Sequence, residues 1–174
     1  MIKDRIRELE SLASYLKDEE KKIIIKAINF SSKAHKDQTR QSGDPYITHP
    51  IEVAKILTSI NLDASAIAAG LLHDTIEDTT ISTKEITETF GNQISELVQG
   101  LTKISKFALK MNKQKLGENY RKLILASSKD LRVILIKLAD RLHNMRTIKF
   151  IKDENKKIDI SMETLEVFSP LAQR

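Results

Sequence analysis

The residues best equipped for chemistry stand in one short run, Gly70-Leu71-Leu72-His73-Asp74-Thr75-Ile76-Glu77-Asp78-Thr79. It joins a histidine and three carboxylates to the end of a stretch, Ala64 to Leu72, that is almost wholly small or apolar. Such a stretch reads as a buried helix, and charge at its end is expensive unless a metal, a partner or a proton offsets it. Two further donors sit on backbone that should be rigid: His49 just ahead of Pro50, and Asp140 inside a long apolar run. Imidazole nitrogens and carboxylate oxygens form a mixed set that suits a divalent first-row ion with open positions, such as manganese, iron or zinc. Glu77 lies four residues after His73, and Asp78 four after Asp74. If the helical turn persists, both acids point near the same ion, where one could take a proton from water. Each piece taken singly has a plainer reading: a chance His-Asp pair, a helix entrance, an Asp140–Arg141 ion pair, ordinary loop acids. His35 and His143 are read as structural, because nothing nearby demands them as ligands.

These groups need elements to position them, and the apolar spacing supplies helices throughout. A first amphipathic helix is expected over residues 4–16, with Ile6, Leu9, Leu12 and Leu16 on one side. A second runs from Asp18 to Ala34, turning Ile23, Ile24, Ala27, Ile28 and Ser31 inward. The loop Gln38 to Pro50 holds Gly43-Asp44-Pro45, a strong turn former. Pro50 suits a first helical position, so a helix starts there and runs to about Ile60. Asp63 caps the next helix, which ends in the His-Asp run. Ser82-Thr83-Lys84-Glu85 is a capping box whose helix stops at Gly91. A helix over Asn92–Leu101 gives way to a weakly periodic segment, Thr102 to Lys115, with five lysines (Lys103, Lys106, Lys110, Lys113, Lys115) and an expected mobility. The helical pattern returns over Asn119–Ala126. Asp130 then caps a long helix that is apolar nearly all round and should be central. On it Lys137, Asp140 and Asn144 share one face. Residues 151–157 read as a charged loop, and a last helix runs from Asp159 to Phe168, ending before Pro170. There is no internal repeat, no low-complexity tract and no convincing strand.

Composition narrows the classes. A chain of 174 residues with 40% hydrophobic and 30% charged residues fits one globular domain. Few glycines (5) and prolines (3) favour an all-α fold. There is no cysteine, so disulfides are excluded and any metal must be held by His and oxygen donors; the lack fits a reducing, cytoplasmic setting. No apolar run has the length of a membrane span, and Met1-Ile2-Lys3-Asp4 does not begin a signal peptide, so no membrane partner is expected. The formal charge of +5 is mild and suits an anionic ligand as well as a solvated basic surface. A nucleic-acid role is not expected, because aromatics are 5% and no basic stripe is interleaved with them.

Four pieces together resemble the hydrolase domain of the RelA/SpoT family, in the HD phosphohydrolase superfamily. They are His35-Lys36-Asp37-Gln38-Thr39-Arg40, Ser42 to Pro50, Leu71 to Thr79, and Ile136-Lys137-Leu138-Ala139-Asp140-Arg141-Leu142-His143-Asn144-Met145-Arg146-Thr147. They span most of the chain in the family's order. The resemblance implies an all-helical HD domain that removes pyrophosphate from the 3′ position of the guanine nucleotide alarmones ppGpp and pppGpp, with one manganese ion. By the same resemblance His49, His73, Asp74 and Asp140 match the metal ligands, and Glu77 and Asp78 match the acidic pair that positions or activates water. Arg40 matches the residue packed on the guanine base, a reasonable use of a guanidinium over a π-face. Ser42, Asn144 and Thr147 match positions that line the nucleoside pocket. Lys137 and Arg141, with the lysine-rich segment, are expected to help hold the distal 5′ diphosphate, on their charge alone.

Two departures from the family pattern are small: Asp44 stands where Glu is usual, and Gln41 where some members are basic. The larger one is length. Residues 159–174 resemble the family's junction toward a synthetase domain, for which the sequence leaves no room, so a free-standing hydrolase and a fragment of a longer protein are both compatible with it. Two other functions remain open: an HD phosphohydrolase acting on ordinary nucleotides, and a catalytically silent regulatory module.

Overall fold

The computed structural model describes residues 2–109 and 130–173, and among the described residues the chain is all-α, with no strand. In order come α1 (Ile2–Leu12), α2 (Asp18–Ala34), α3 (Thr48–Ser59), α4 (Ala64–Leu72), the single turn α5 (Thr75–Asp78), α6 (Thr83–Phe90) and α7 (Asn92–Leu109). After residue 130 come α8 (Leu131–Arg146), α9 (Glu154–Glu163) and α10 (Ser169–Ala172). The helices enclose one apolar core.

α4 is its hub, packing against α2, α3, α7 and α8. Its sequence explains why. Ala64, Ala66, Ala68, Ala69 and Gly70 let neighbouring backbones come close, while Ile67, Leu71 and Leu72 fill the space between them. Each of those large side chains, removed from water, contributes roughly 1.5–3 kcal/mol. At Gly70 a Cβ would lie 2.5 Å from Leu57 Cδ1 on α3. The contact distance between α3 and α4 therefore depends on a glycine there.

Local signals set most helix starts. Asp63 accepts from the Ala66 amide at 3.0 Å, and Asp130 from the Arg132 amide at 3.0 Å. Ser82 and Glu85 cap each other's backbone, and Gly91 closes α6 at φ +84°. Arg132 also reaches both caps, Asp63 Oδ2 at 3.0 Å and Asp130 Oδ2 at 2.6 Å. That guanidinium holds the first turns of α4 and α8 side by side. His73 stands ten residues beyond Asp63, and Asp140 ten beyond Asp130. At 1.5 Å per residue the two helices thus deliver His73 and Asp140 to the same depth, about 15 Å from the clamp.

Several sequence expectations need correction. α1 ends at Leu12, a 3₁₀ turn carries the chain through Tyr15, and Leu12 is exposed. Ile23 also faces outward, whereas Ile24, Ala27, Ile28 and Ser31 are buried as expected. α7 does not stop at Leu101 but runs to Leu109, because Ile104 is buried within the core. The rest of the lysine-rich segment and the helix expected over Asn119–Ala126 lie outside the described residues. α8 is less enclosed than its composition suggests, since Leu131 and Leu142 are exposed. The charged loop shrinks to residues 151–153, because Asp153 caps α9 by accepting from the Lys156 amide. A π-helical turn, Thr164–Phe168, then carries the chain directly into α10, so the helix does not end before Pro170 as expected.

Candidate metal centre and adjoining cavity

His73 is the last point of α4 before the chain turns into α5. Its Nδ1 donates to the Gly70 carbonyl at 2.8 Å, which leaves Nε2 to face the interior. That Nε2 is buried and has no hydrogen-bond partner. Asp74 Oδ2 lies 2.9 Å away, close enough for charge attraction but not aligned to accept its proton. His49 enters from the first turn of α3, with Nε2 3.2 Å from Asp140 Oδ1 and 3.7 Å from Asp74 Oδ2. Donor atoms of His49, His73 and Asp140 all fall within 4.8 Å of one another, and the three residues are buried. Asp74 Oδ2 lies near both imidazoles but falls outside this mutually close set, so the fourth expected ligand stands at its edge.

A buried imidazole nitrogen without a partner, in a ring of two carboxylates and a second imidazole, fits a divalent cation better than it fits a core. A neutral Nε2 is a ligand atom, and its Nδ1–H bond to a carbonyl is the second contact that metal-ligating histidines require. The donor chemistry, two nitrogens and carboxylate oxygens, suits zinc, manganese or iron.

Charge pairing holds this centre together. Lys137 Nζ lies 2.9 Å from Asp140 Oδ2 and donates to Ser105 Oγ of α7 at 3.1 Å. Burial alone would raise the Asp140 carboxyl, but Lys137 and the two histidines outweigh it and hold it well below the usual range. Burial likewise opposes the His73 cation, yet Asp74 and Asp140 raise its pKa to about 9. Asp74 is depressed in return, chiefly by His73. His49 behaves differently: burial dominates and lowers it. Burial also pushes His143 down, to about 4.

α5 separates the two acids expected to handle water. Both main chains close on the Asp74 carbonyl, so the turn nearly continues α4. Glu77 faces Lys137 and Ser105, and burial raises its pKa. Asp78 faces the other way, with Oδ2 accepting from the Tyr46 hydroxyl at 3.1 Å. The same hydroxyl lies nearer to Asp74 Oδ2, at 2.7 Å, so its one proton is shared between the two carboxylates.

A cavity of about 470 Å³ adjoins the centre and shares Asp140 with it. Arg40, Ser42, Lys137, Arg141, Asn144 and Thr147 all line it. The loop that carries Arg40 and Ser42 is folded on itself, with Arg40 N bonded to Asp44 O and Gly43, at φ +87°, at its tip. Arg40 Nη2 donates to Asn144 Oδ1 at 3.0 Å and approaches Thr147 Oγ1 at 3.4 Å. Asn144 Nδ2 donates onward to Asp140 Oδ1 at 2.7 Å. Ser42 Oγ is turned to Asp44 at 2.9 Å. Arg141 is in the wall, but its charge is met by Glu163 and its guanidinium lies 4.2 Å over the Phe168 ring.

Sequence reasoning missed three participants. Tyr46 bridges Asp74 and Asp78, and its place three residues before His49 was a usable signal. Ser105 lies in the tail of α7, where nothing in the pattern marked it. His143 was read as structural, yet its Nδ1 lies 2.7 Å from His49 Nδ1. Its spacing of three from Asp140 on α8 was the available clue.

Comparison with known proteins follows the same line. The HD domain family matches residues 27–174. A GTP pyrophosphokinase of Myxococcus xanthus is 48% identical over 167 residues, covering 94% of this chain and 22% of its own length. The bifunctional (p)ppGpp synthase/hydrolase SpoT of Escherichia coli K12 is 45% identical over 163 residues, covering 94% of this chain and 23% of its own. The chain thus spans under a quarter of the length of these curated relatives. A solved structure described as a metazoan ortholog of SpoT that hydrolyzes ppGpp shares the fold with a TM-score of 0.66, at 26% identity over 83% of each chain. No helix among the described residues is long and apolar enough to cross a membrane. An all-helical chain with this His-Asp centre and these relatives belongs to the HD-domain family and, within it, to the RelA/SpoT family.

Proposed function

We propose that this chain removes the 3′-pyrophosphate from ppGpp and pppGpp, leaving GDP or GTP. The observation that carries the reading is that Asp140 belongs both to the His-Asp cluster and to the wall of a cavity lined by Arg40, Asn144 and Thr147. A nucleotide seated there places a phosphate against the cluster. Relatives named for ppGpp hydrolysis, including the 3′-pyrophosphohydrolase of Escherichia coli O157:H7, support the substrate class.

His49, His73, Asp74 and Asp140 would hold one divalent ion, proposed as Mn²⁺. When bound, it supplies positive charge to the phosphoryl oxygens of the group being cleaved. The chain's own residues do the rest. Glu77, with its raised pKa and its place beside Lys137, takes the proton of the attacking water. Asp78, tied to Tyr46, orients that water from the opposite side. Arg40 stacks on the guanine, while Ser42, Asn144 and Thr147 fix the nucleoside. Lys137 and Arg141 are already paired with Asp140 and Glu163, so they shape the wall and must exchange those partners to contact a diphosphate. The protein would act in the cytoplasm, where such nucleotides are found.

The test is release of pyrophosphate from ppGpp labelled in its 3′ diphosphate, with Mn²⁺ present, beside GTP, dGTP and a nucleoside monophosphate. Turnover confined to ppGpp and pppGpp is expected. Equal turnover of GTP would move the reading to a general nucleotide phosphohydrolase, and no turnover at all would leave a regulatory module. Glu77→Gln should retain the ion and lose most of the rate, whereas Asp74→Asn should lose both.

A further inference from the structure

His143 has no place in the chemistry described so far, although it touches a ligand candidate directly. Its Nδ1 lies 2.7 Å from Nδ1 of His49, with ring centroids 4.9 Å apart. A gap of that length holds one proton: one ring must donate and the other must accept. The far nitrogen of His49, Nε2, is the atom turned toward Asp140, Asp74 and the His73 ring.

We propose that His143 is a positioning residue for the metal centre: it accepts the Nδ1 proton of His49 and so commits Nε2 of His49 to the ion. The argument is a matter of proton placement. An imidazole that ligates through Nε2 carries its proton on Nδ1, and inside a core that N–H needs an acceptor. For His73 the acceptor is the Gly70 carbonyl. For His49 the atom at hydrogen-bond distance of Nδ1 is Nδ1 of His143. His49 itself is 1% exposed, so water does not replace that acceptor at no cost. The two ligand histidines are then oriented by unlike devices, one by main chain and one by a side chain on α8. α8 therefore serves the centre twice, supplying Asp140 as a ligand and, three residues on, the group that aims His49.

This rests on His49 being a ligand and is independent of which nucleotide is cleaved. The test compares His143→Ala, which removes the acceptor, with His143→Asn, whose Oδ1 sits where the ring Nδ1 was. Metal affinity is read by equilibrium dialysis with Mn²⁺, and by the visible spectrum of the Co²⁺-loaded protein. The alanine variant should bind about 10–100-fold more weakly, with an altered Co²⁺ spectrum, and the asparagine variant should stay within a few-fold of the parent. In the Zn²⁺-loaded parent, long-range ¹H–¹⁵N correlation should show a protonated Nδ1 on His49 and an unprotonated Nδ1 on His143. Equal weakening by both variants, parent-like binding by the alanine variant, or the reverse proton placement overturns the proposal. A parent protein that binds no ion overturns the metal centre itself, so the two failures are distinguishable.

Discussion

His73 Nδ1 donates to the carbonyl of Gly70 at 2.8 Å, and Gly70 is also where α4 leaves no room for a side chain beside Leu57 of α3. One residue therefore sets both helix spacing and the tautomer of a ligand candidate. In Gly70→Ala the new Cβ would meet Leu57 Cδ1 at 2.5 Å, and Leu57 is fully buried, so it has little room to turn away. Overpacking of this kind costs about 1–3 kcal/mol, less the small gain in helix propensity. Urea unfolding should show that loss of stability. Metal titration of the folded variant should also show weaker binding, because α4 cannot shift without carrying the Gly70 carbonyl away from His73. A variant as stable as the parent would mean that α3 and α4 yield more easily than their packing indicates.

The sequence disclosed what is local. Asp63, Ser82 and Asp130 announce their helices by capping chemistry that needs no distant partner, and the small-residue run of α4 announces its burial. The His-Asp run was legible because a helix end brings its residues together whatever the rest of the chain does. What stayed hidden depends on a second element. Residues 102–109 look weakly periodic because Ser105, a polar residue, is held by Lys137 from α8. Arg141 reads as a free cation until Glu163 and Phe168 are folded against it. His143 shows its purpose only when His49, 94 residues earlier, arrives beside it. Pairings of such separation leave no mark in hydrophobic spacing.

Metal binding should release a proton. The metal-free centre holds His73 as a cation, with its pKa raised to about 9 by Asp74 and Asp140 against the opposing effect of burial. A ligand imidazole must be neutral, so between pH 6.5 and 9 the incoming ion displaces that proton. Affinity should rise about tenfold per pH unit in this window and flatten above it. Calorimetry in buffers of different ionisation enthalpy should count close to one proton released near pH 7.5. The stability of the metal-free protein should run the other way. A pKa raised on folding contributes stability fully present below about pH 6.5, and this is lost as pH rises through about 9. Affinity that does not vary with pH would show His73 to be neutral before the ion arrives.

Lys137 should act on the protein before it acts on any substrate. Its Nζ is held between Asp140 and Ser105, and its pKa is raised because Asp140 outweighs the effect of burial. Lys137→Met keeps most of the volume and leaves the Asp140 carboxylate buried without its cation. Removing one partner of such a pair costs about 3–5 kcal/mol. Thermal unfolding of the metal-free variant should show that loss, and saturating Mn²⁺ should recover part of it by supplying the missing positive charge. If the variant instead unfolds like the parent and only KM for the nucleotide rises, Lys137 is a phosphate contact and its bond to Asp140 is incidental.

Arg40 and Asn144 should separate nucleotide binding from ion binding. The guanidinium donates to Asn144 Oδ1, and Asn144 Nδ2 donates to Asp140 Oδ1. The amide therefore stands between the residue proposed to stack on guanine and a residue proposed to hold the ion. Arg40→Ala removes only the outer member, so KM should rise about tenfold or more while metal affinity in the absence of nucleotide stays near that of the parent. Asn144→Ala removes a hydrogen bond to a charged group, worth about 1.5–3 kcal/mol, and should weaken both. In the parent, bound nucleotide and bound ion should then raise each other's affinity by one common factor, as linkage requires. In Asn144→Ala that factor should fall toward one, because the nucleotide no longer reports to Asp140 through the amide. Isothermal titration of Mn²⁺ with and without a non-hydrolysable guanine nucleotide measures it directly. A factor that survives Asn144→Ala unchanged would mean that the two ligands communicate through direct contact with each other, and that the Arg40–Asn144–Asp140 chain only shapes the cavity.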